Sequence, residues 1–264
     1  MRVWPIVLLL CSVQAYATDK IVYYNNPNRL APWSMHEPPQ PPYNGIMLQL
    51  FTQVAEANNI KLEVLTIPSN RAISTFKRED DVPWVTWGIK GLVKLLGGRF
   101  DFSSNMSIDI APFDCHYMIH KNRRWEDFDK DFSNARIILP KHIQDQELQL
   151  ILDGGFSQRV SAANTLALFK LLIKGRGDIV TMGPTTLNYA ANKMSFDCSE
   201  IKYKRCNIAS LDNFVFIYSN NIPQATIARF NGMLESMINN GEVAKLIERV
   251  APPLCMRYAP DIDK

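Results

Sequence analysis

The chain lacks most of what a membrane-embedded, nucleic-acid-binding or metal-dependent protein would carry. Beyond its first seventeen residues there is no second long apolar run, so the body does not read as membrane-spanning. No run of Lys and Arg is interleaved with aromatics, and the formal net charge is only +3, which argues against a nucleic-acid partner. No Cys-x-x-Cys occurs, and of the 4 histidines only His116 and His120 are close together. Four residues apart on a strand they would share a face but lie about 13 Å apart, too far for one metal ion. A Gly-x-Ser-x-Gly nucleophile elbow is missing, and no lysine is followed by Thr-Gly or Ser-Gly. Neither a metal nor a cofactor is expected.

What is present starts at Met1-Arg2, followed by an apolar run from Val3 to Leu10 and by Ala15-Tyr16-Ala17, the small-x-small pattern of a signal-peptidase site. Residues 1–17 are therefore expected to be a cleaved signal peptide, with the mature chain starting near Thr18 outside the cytoplasm. An uncleaved anchor would need about 20 apolar residues, twice what stands here. Lipid attachment at Cys11 would want a small residue before it, where Leu10 stands. Export excludes most chemistry that draws on ATP or reduced nicotinamide, and favours a binding protein, a hydrolase or an envelope structural protein. Roughly 250 residues remain, enough for one large domain or two ordinary lobes. At 47% apolar and 21% charged, the composition is that of a globular chain able to bury a core.

After processing four cysteines are left, Cys115, Cys198, Cys206 and Cys255. An even number in an oxidising compartment reads as two disulfides, for which three pairings exist. The short polar stretch between Cys198 and Cys206 suits a local hairpin staple, which would leave Cys115 with Cys255.

Periodicity gives an alternating plan. A strand over 20–24 is followed by an Asn- and Pro-rich loop to Pro42; Met47, Leu48, Phe51, Val54 and Ala55 then fall at helical spacing, and Asn58-Asn59 ends that helix before a strand over 61–66. A helix over 71–77 and an acidic turn lead to an apolar run over 82–87. A strand over 114–120 and a charge-dense stretch lead into a second unit. It comprises a strand over 135–139, a helix over 145–152, an edge strand over 159–161, a helix capped by Asn164, a Gly175-to-Gly177 break and a strand over 178–181. A hairpin over 198–206, a strand over 213–218 and helices over 223–239 and 242–250 close the chain. Strand and helix alternate in both halves, so the class is α/β.

Several segments, in this order, resemble the type II periplasmic solute-binding proteins of family 3, which include amino-acid receptors of ABC transporters. They are Pro41-Pro42-Tyr43-Asn44-Gly45 with Met47-Leu48-Gln49-Leu50-Phe51, Arg71-Ala72-Ile73 with Phe76-Lys77-Arg78-Glu79-Asp80, the run from Leu168 to Val180, and Phe230-Asn231 with Leu234 and Gly241 to Ile247. The resemblance implies a two-lobed fold with two hinge strands, over 114–120 and 213–219, and a ligand cleft between the lobes. Lobe one would hold 18–118 plus 215–264 and lobe two 119–214, with Cys115 free to meet Cys255 within lobe one. The family's amino-acid contacts are not all matched. Ile46 stands where an acidic residue often follows the glycine, Arg99 is the only arginine between Gly88 and Asp101, and Thr181-Met182-Gly183 occupies the place of an acidic residue.

Candidate ligand-binding residues are Arg71, Trp33, Trp84, Trp87, Ser103, Lys141, His142 and Thr181. Arg71 and Lys141 offer charge for an anion, the tryptophans offer apolar walls, and the others, with neighbouring Thr185, offer short hydrogen-bonding groups. The resemblance implies a periplasmic, monomeric binding protein for a small polar ligand, an amino acid or related organic anion, serving a membrane permease or a sensor, with no enzymatic activity. Two alternatives remain. One is a ligand-independent envelope interaction module. The other is a serine hydrolase using Ser74 and Lys77, which match Ser-x-x-Lys. Arg176-Gly177-Asp178 matches an adhesion tripeptide but closes a helix and opens a strand.

Overall fold

The computed structural model describes residues 20–25, 30–35, 45–67, 82–91, 105–128, 132–141, 156, 158–206 and 213–256. The signal segment, Arg71, Ser74, Lys77, Ser103, His142 and the helices expected over 71–77 and 145–152 lie outside them. The elements are β1 (Lys20–Asn25), α1 (Ile46–Ala57), β2 (Lys61–Thr66), β3 (Trp84–Ile89), β4 (Ala111–Pro112), β5 (His116–His120), β6 (Arg136–Pro140), β7 (Gln158–Ala162), α2 (Thr165–Ile173), β8 (Ile179–Met182), α3 (Pro184–Met194), β9 (Ile201–Arg205), β10 (Asn213–Tyr218), α4 (Gln224–Asn239) and α5 (Glu242–Val250).

They build two five-stranded sheets, ordered β2-β1-β3-β10-β4 and β7-β6-β8-β5-β9. In the first, β1 runs parallel to β2 and β3, and β10 is antiparallel to β3. In the second, β6 runs parallel to β7 and β8, and β5 is antiparallel to β8 and β9. Alternation along the strands separates two faces of each sheet. Ile21, Tyr23, Val85, Phe214 and Phe216 join the buried residues of α1, α4 and α5, while Val22, Tyr24, Trp84 and Ile217 form a smaller cluster on the opposite face. The second sheet buries Met118, Ile138 and Val180 beneath Leu168, Phe169 and Leu172 of α2 and Leu187 of α3. Its other face carries Tyr117, Ile119, Ile137 and Leu139 under Phe128. In the first core, burial pushes the phenols of Tyr23 and Tyr218 above their ordinary range, so both stay neutral.

Helix ends follow local chemistry. Asn164 caps α2 by accepting a hydrogen bond from the Ala167 N–H at 2.9 Å, as its position before the apolar run implies. Helix α3 was not foreseen. It opens with Pro184 in its first turn after Gly183, a start signal that needs no apolar stripe.

Both disulfides differ from the expected pairing. Cys115 bonds Cys206 and Cys198 bonds Cys255, with Cα–Cα distances of 5.3 and 5.1 Å. The reason lies in β9, which is a straight strand and not one arm of a hairpin. Five extended residues hold Cys198 and Cys206 about 17 Å apart along the strand, whereas a disulfide needs Cα atoms within about 7 Å. Antiparallel pairing of β5 with β9 sets Cys115 beside Cys206, whose N–H donates to the Cys115 carbonyl at 2.8 Å. Cys255 reaches the second sheet's core, so the tail after α5 does not stay with the first sheet as expected. The chain crosses between the sheets at 113–115 and returns between Cys206 and β10, since β5 lies wholly in the second sheet and β10 wholly in the first.

Candidate functional site

In open α/β sheets a crevice forms at the carboxyl ends of the parallel strands, where the strand order reverses. Here that point falls beside β1 and β3 in one sheet and beside β6 and β8 in the other. Both crevices meet the inter-sheet passages. Ile89 at the end of β3 pairs with Phe214, and Met182 at the end of β8 pairs with His116.

The segment after β1 is fastened in place by its own polar groups. Ser34 Oγ donates to Asn25 Oδ1 at 2.7 Å, Asn25 Nδ2 donates to the Met35 carbonyl at 3.3 Å, and both side chains are buried. The carbonyls of Pro32 and Trp33 accept the N–H groups of Ile46 and Met47, which supplies α1 with the N-terminal partners that no side chain gives it. Gly45 permits this approach, because a Cβ there would sit 2.7 Å from the Trp33 carbonyl oxygen. Trp33 is thereby held against Phe214, with ring centroids 4.0 Å apart, and Phe214 also meets Phe113 at 5.6 Å and Trp87 at 5.8 Å.

Opposite this aromatic group stands the start of α3. Gly183 has no side-chain cap to offer, and its carbonyl accepts the N–H groups of Thr186 and Leu187. A pocket with an empty volume of ≈ 240 Å³, part of it open to solvent, lies between the two. Trp33, Pro112, Phe113 and Phe214 line one side and Gly183, Pro184, Thr185 and Thr186 the other, with Asp114 where they join. Thr186 is fully buried, and its hydroxyl has no hydrogen-bond partner among the described residues. Asp114 Oδ1 lies 3.6 Å from His116 Nδ1 and 3.5 Å from the positively charged Arg205 at Nε, outside hydrogen bonding to either. Threonines and a carboxylate opposite aromatic walls can bind a small polar molecule and orient it.

Of the expected site residues, Trp33 lines this pocket and Trp87 supports it through Phe214. Trp84 does not reach it. It starts β3, at the far end of the strand and on the opposite face, packed with Tyr24. Thr181 is buried beside Tyr117 in β8, and its hydroxyl is without a hydrogen bond among the described residues, but Thr185 and Thr186 are the threonines that line the pocket. Lys141 is exposed at the end of β6, with its N–H bonded to the Ala162 carbonyl. Phe113, Asp114, Phe214 and Thr186 were missed, because strand register alone brings them together. Among the described residues, no group of three or more His, Cys, Asp or Glu is placed to hold a metal ion, and no helix is long and apolar enough to cross a membrane. Asp178 of the adhesion-like tripeptide is buried in ion pairs with Arg136 and Arg123.

No family model and no curated protein matches the sequence. Solved structures do match. A substrate-binding protein of an amino acid ABC transporter superposes with a TM-score of 0.61 at 12% identity, over 87% of this chain and 98% of that one. The GluR0 ligand-binding core in complex with L-glutamate gives 0.62 at 14% identity, over 90% and 99%. A mutant of ArgBP from T. maritima gives 0.61 at 12%, over 88% and 94%. These similar structures are ligand-binding proteins. With its two mixed sheets, paired cores and crevice between them, the chain has the two-lobed α/β fold of the type II periplasmic solute-binding proteins of family 3.

Proposed function

We propose that the protein is an exported, monomeric solute-binding protein, periplasmic after loss of residues 1–17, that captures a small polar ligand between its lobes without covalent chemistry. The ligand class is an amino acid or a related organic anion, and the recipient is a membrane permease or a sensor. The observation that carries the reading is the pocket where the uncapped start of α3, with Thr185 and Thr186, stands opposite Trp33 and Phe214. The amino-acid-binding character of the similar structures supports it. Closure of the lobes would shift a population from open to closed, and the closed form is what a partner would read.

A thermal-shift screen of the mature protein against amino acids, organic acids, polyamines and short peptides tests this. A ligand at 100 times its dissociation constant adds about 2.7 kcal/mol, and a chain of this size gains roughly 2–4 °C per kcal/mol, so a true ligand raises Tm by about 5–10 °C. Thr186→Val and Trp33→Ala should each reduce that rise. A flat screen across all classes would overturn the reading.

A further inference from the structure

The two lobes are joined a third time, outside the two chain passages between the sheets. Helix α5 belongs to the first lobe, burying Val243, Leu246 and Ile247 in its core, and Ala251 still donates to the Ile247 carbonyl at 2.8 Å. Four residues later Cys255 is bonded to Cys198, in the turn that precedes β9 of the second lobe.

The landing place is built to hold main chain. Asn188 of α3 is 2% exposed, and its side-chain amide is used in both directions. Its Oδ1 accepts from the N–H groups of Cys255 and Met256 at 2.9 and 3.0 Å, and its Nδ2 donates to the Met256 carbonyl at 2.7 Å. Between the two anchors, Met35 from the segment after β1, Tyr189 from α3 and Ala251 pack into one buried cluster.

Reach limits what this link permits. From Ala251 to Cys255 the chain can span at most about 14 Å when fully extended. Pro252 and Pro253 restrict it further by fixing φ, and Leu254 N–H is turned back onto the Pro252 carbonyl at 2.8 Å. The helix so held is also the one whose first turn lines the pocket, Asn188 lying two residues beyond Thr186.

We propose that residues 252–256 are a strap that limits how far the cleft opens, with the Cys198–Cys255 disulfide as its fastening. The strap holds α3 within a short distance of the first lobe while the passage at 113–115 supplies the bend. The inference rests on the two-lobed reading but needs no ligand, so failure to find a ligand leaves it standing.

The test measures the distance between lobes in the ligand-free full-length mature chain. Nitroxide labels are attached through keto amino acids at Glu56 of α1 and Lys170 of α2, both exposed, and read by pulsed dipolar spectroscopy. The decisive variant inserts six Gly and Ser residues between Pro253 and Leu254, which lengthens the strap and leaves both disulfides intact; C198S/C255S removes the fastening. Both should show a population at longer distance that the unmodified chain lacks. An unchanged distribution in the insertion variant overturns the proposal, even if C198S/C255S widens, because the disulfide would then act on stability and not on reach. If C198S/C255S fails to fold, the insertion variant decides alone.

Discussion

Asp178→Asn should destabilise the second lobe in a way that vanishes in acid. Asp178 immediately precedes β8 and accepts hydrogen bonds from the Arg136 backbone N–H at 2.9 Å, from Arg136 Nε at 2.9 Å and from its second guanidinium nitrogen at 3.0 Å, while Arg123 stands 3.3 Å away. Burial alone would raise the carboxyl, but the Arg136 hydrogen bonds and the two positive charges outweigh it and hold Asp178 below the ordinary carboxylate range. Its pKa is therefore lower folded than unfolded. The associated stability is complete above about pH 4, the unfolded value, and is lost as pH falls through the depressed folded value. A charged hydrogen bond contributes about 1.5–3 kcal/mol, and since both arginines remain partly solvated the lower half of that range applies, about 2 kcal/mol. At neutral pH the variant should melt roughly 4–8 °C below wild type. Urea unfolding followed by circular dichroism at pH 7, 5 and 3 measures the gap. It should be full at pH 7 and 5 and smaller at pH 3, below the ordinary carboxylate value at which Asp178 of the unfolded chain takes up its proton. A gap of equal size at pH 3 and pH 7, or none at pH 7, would refute the argument.

Gly45→Ala should cost about 1–3 kcal/mol through overpacking, because the new methyl meets the backbone of Trp33 and Ser34 and not a flexible side chain. A lowered Tm with altered near-ultraviolet dichroism would register the displaced Trp33, whereas an unperturbed spectrum would contradict it. Asn164→Ala should cost about 1 kcal/mol by uncapping α2, and Asn164→Ser should restore most of it. Denaturant midpoints of the three proteins settle the comparison.

What could be read from the residues was the part encoded by local periodicity. Helix α1 and the strands on either side of it follow from apolar spacing and from Asn58-Asn59 at the helix end. Helix α3 was invisible because Thr185, Thr186 and Asn188, all polar, are among its buried residues, so no apolar stripe marks its inner face. The tryptophans show a different limit. Trp84 and Trp87 are three residues apart, neighbours on a helix but on opposite faces of a strand, and only Trp87 faces the core that holds Trp33. The candidate pocket drew least from local signals. Phe113 and Phe214 are about a hundred positions apart, and the register of β10 against β3 and β4 is what joins them. The disulfide pairing is hidden for the same reason, since the strand β9 keeps the two cysteines nearest in sequence apart in space.

The stapling of Cys115 to Cys206 across 91 positions bears on how the chain matures as it emerges amino end first. Every strand of the second sheet lies between these two cysteines, so that sheet is complete, and its ends can be locked together, once Cys206 is out. The first sheet must wait, because β10, which sits between β3 and β4, comes later. The inserted lobe is thus the one able to finish first, although the other begins first. Cys198 then stays unpaired until Cys255 follows it, 57 positions later, which makes its closure a marker that β10, α4 and α5 have all been made.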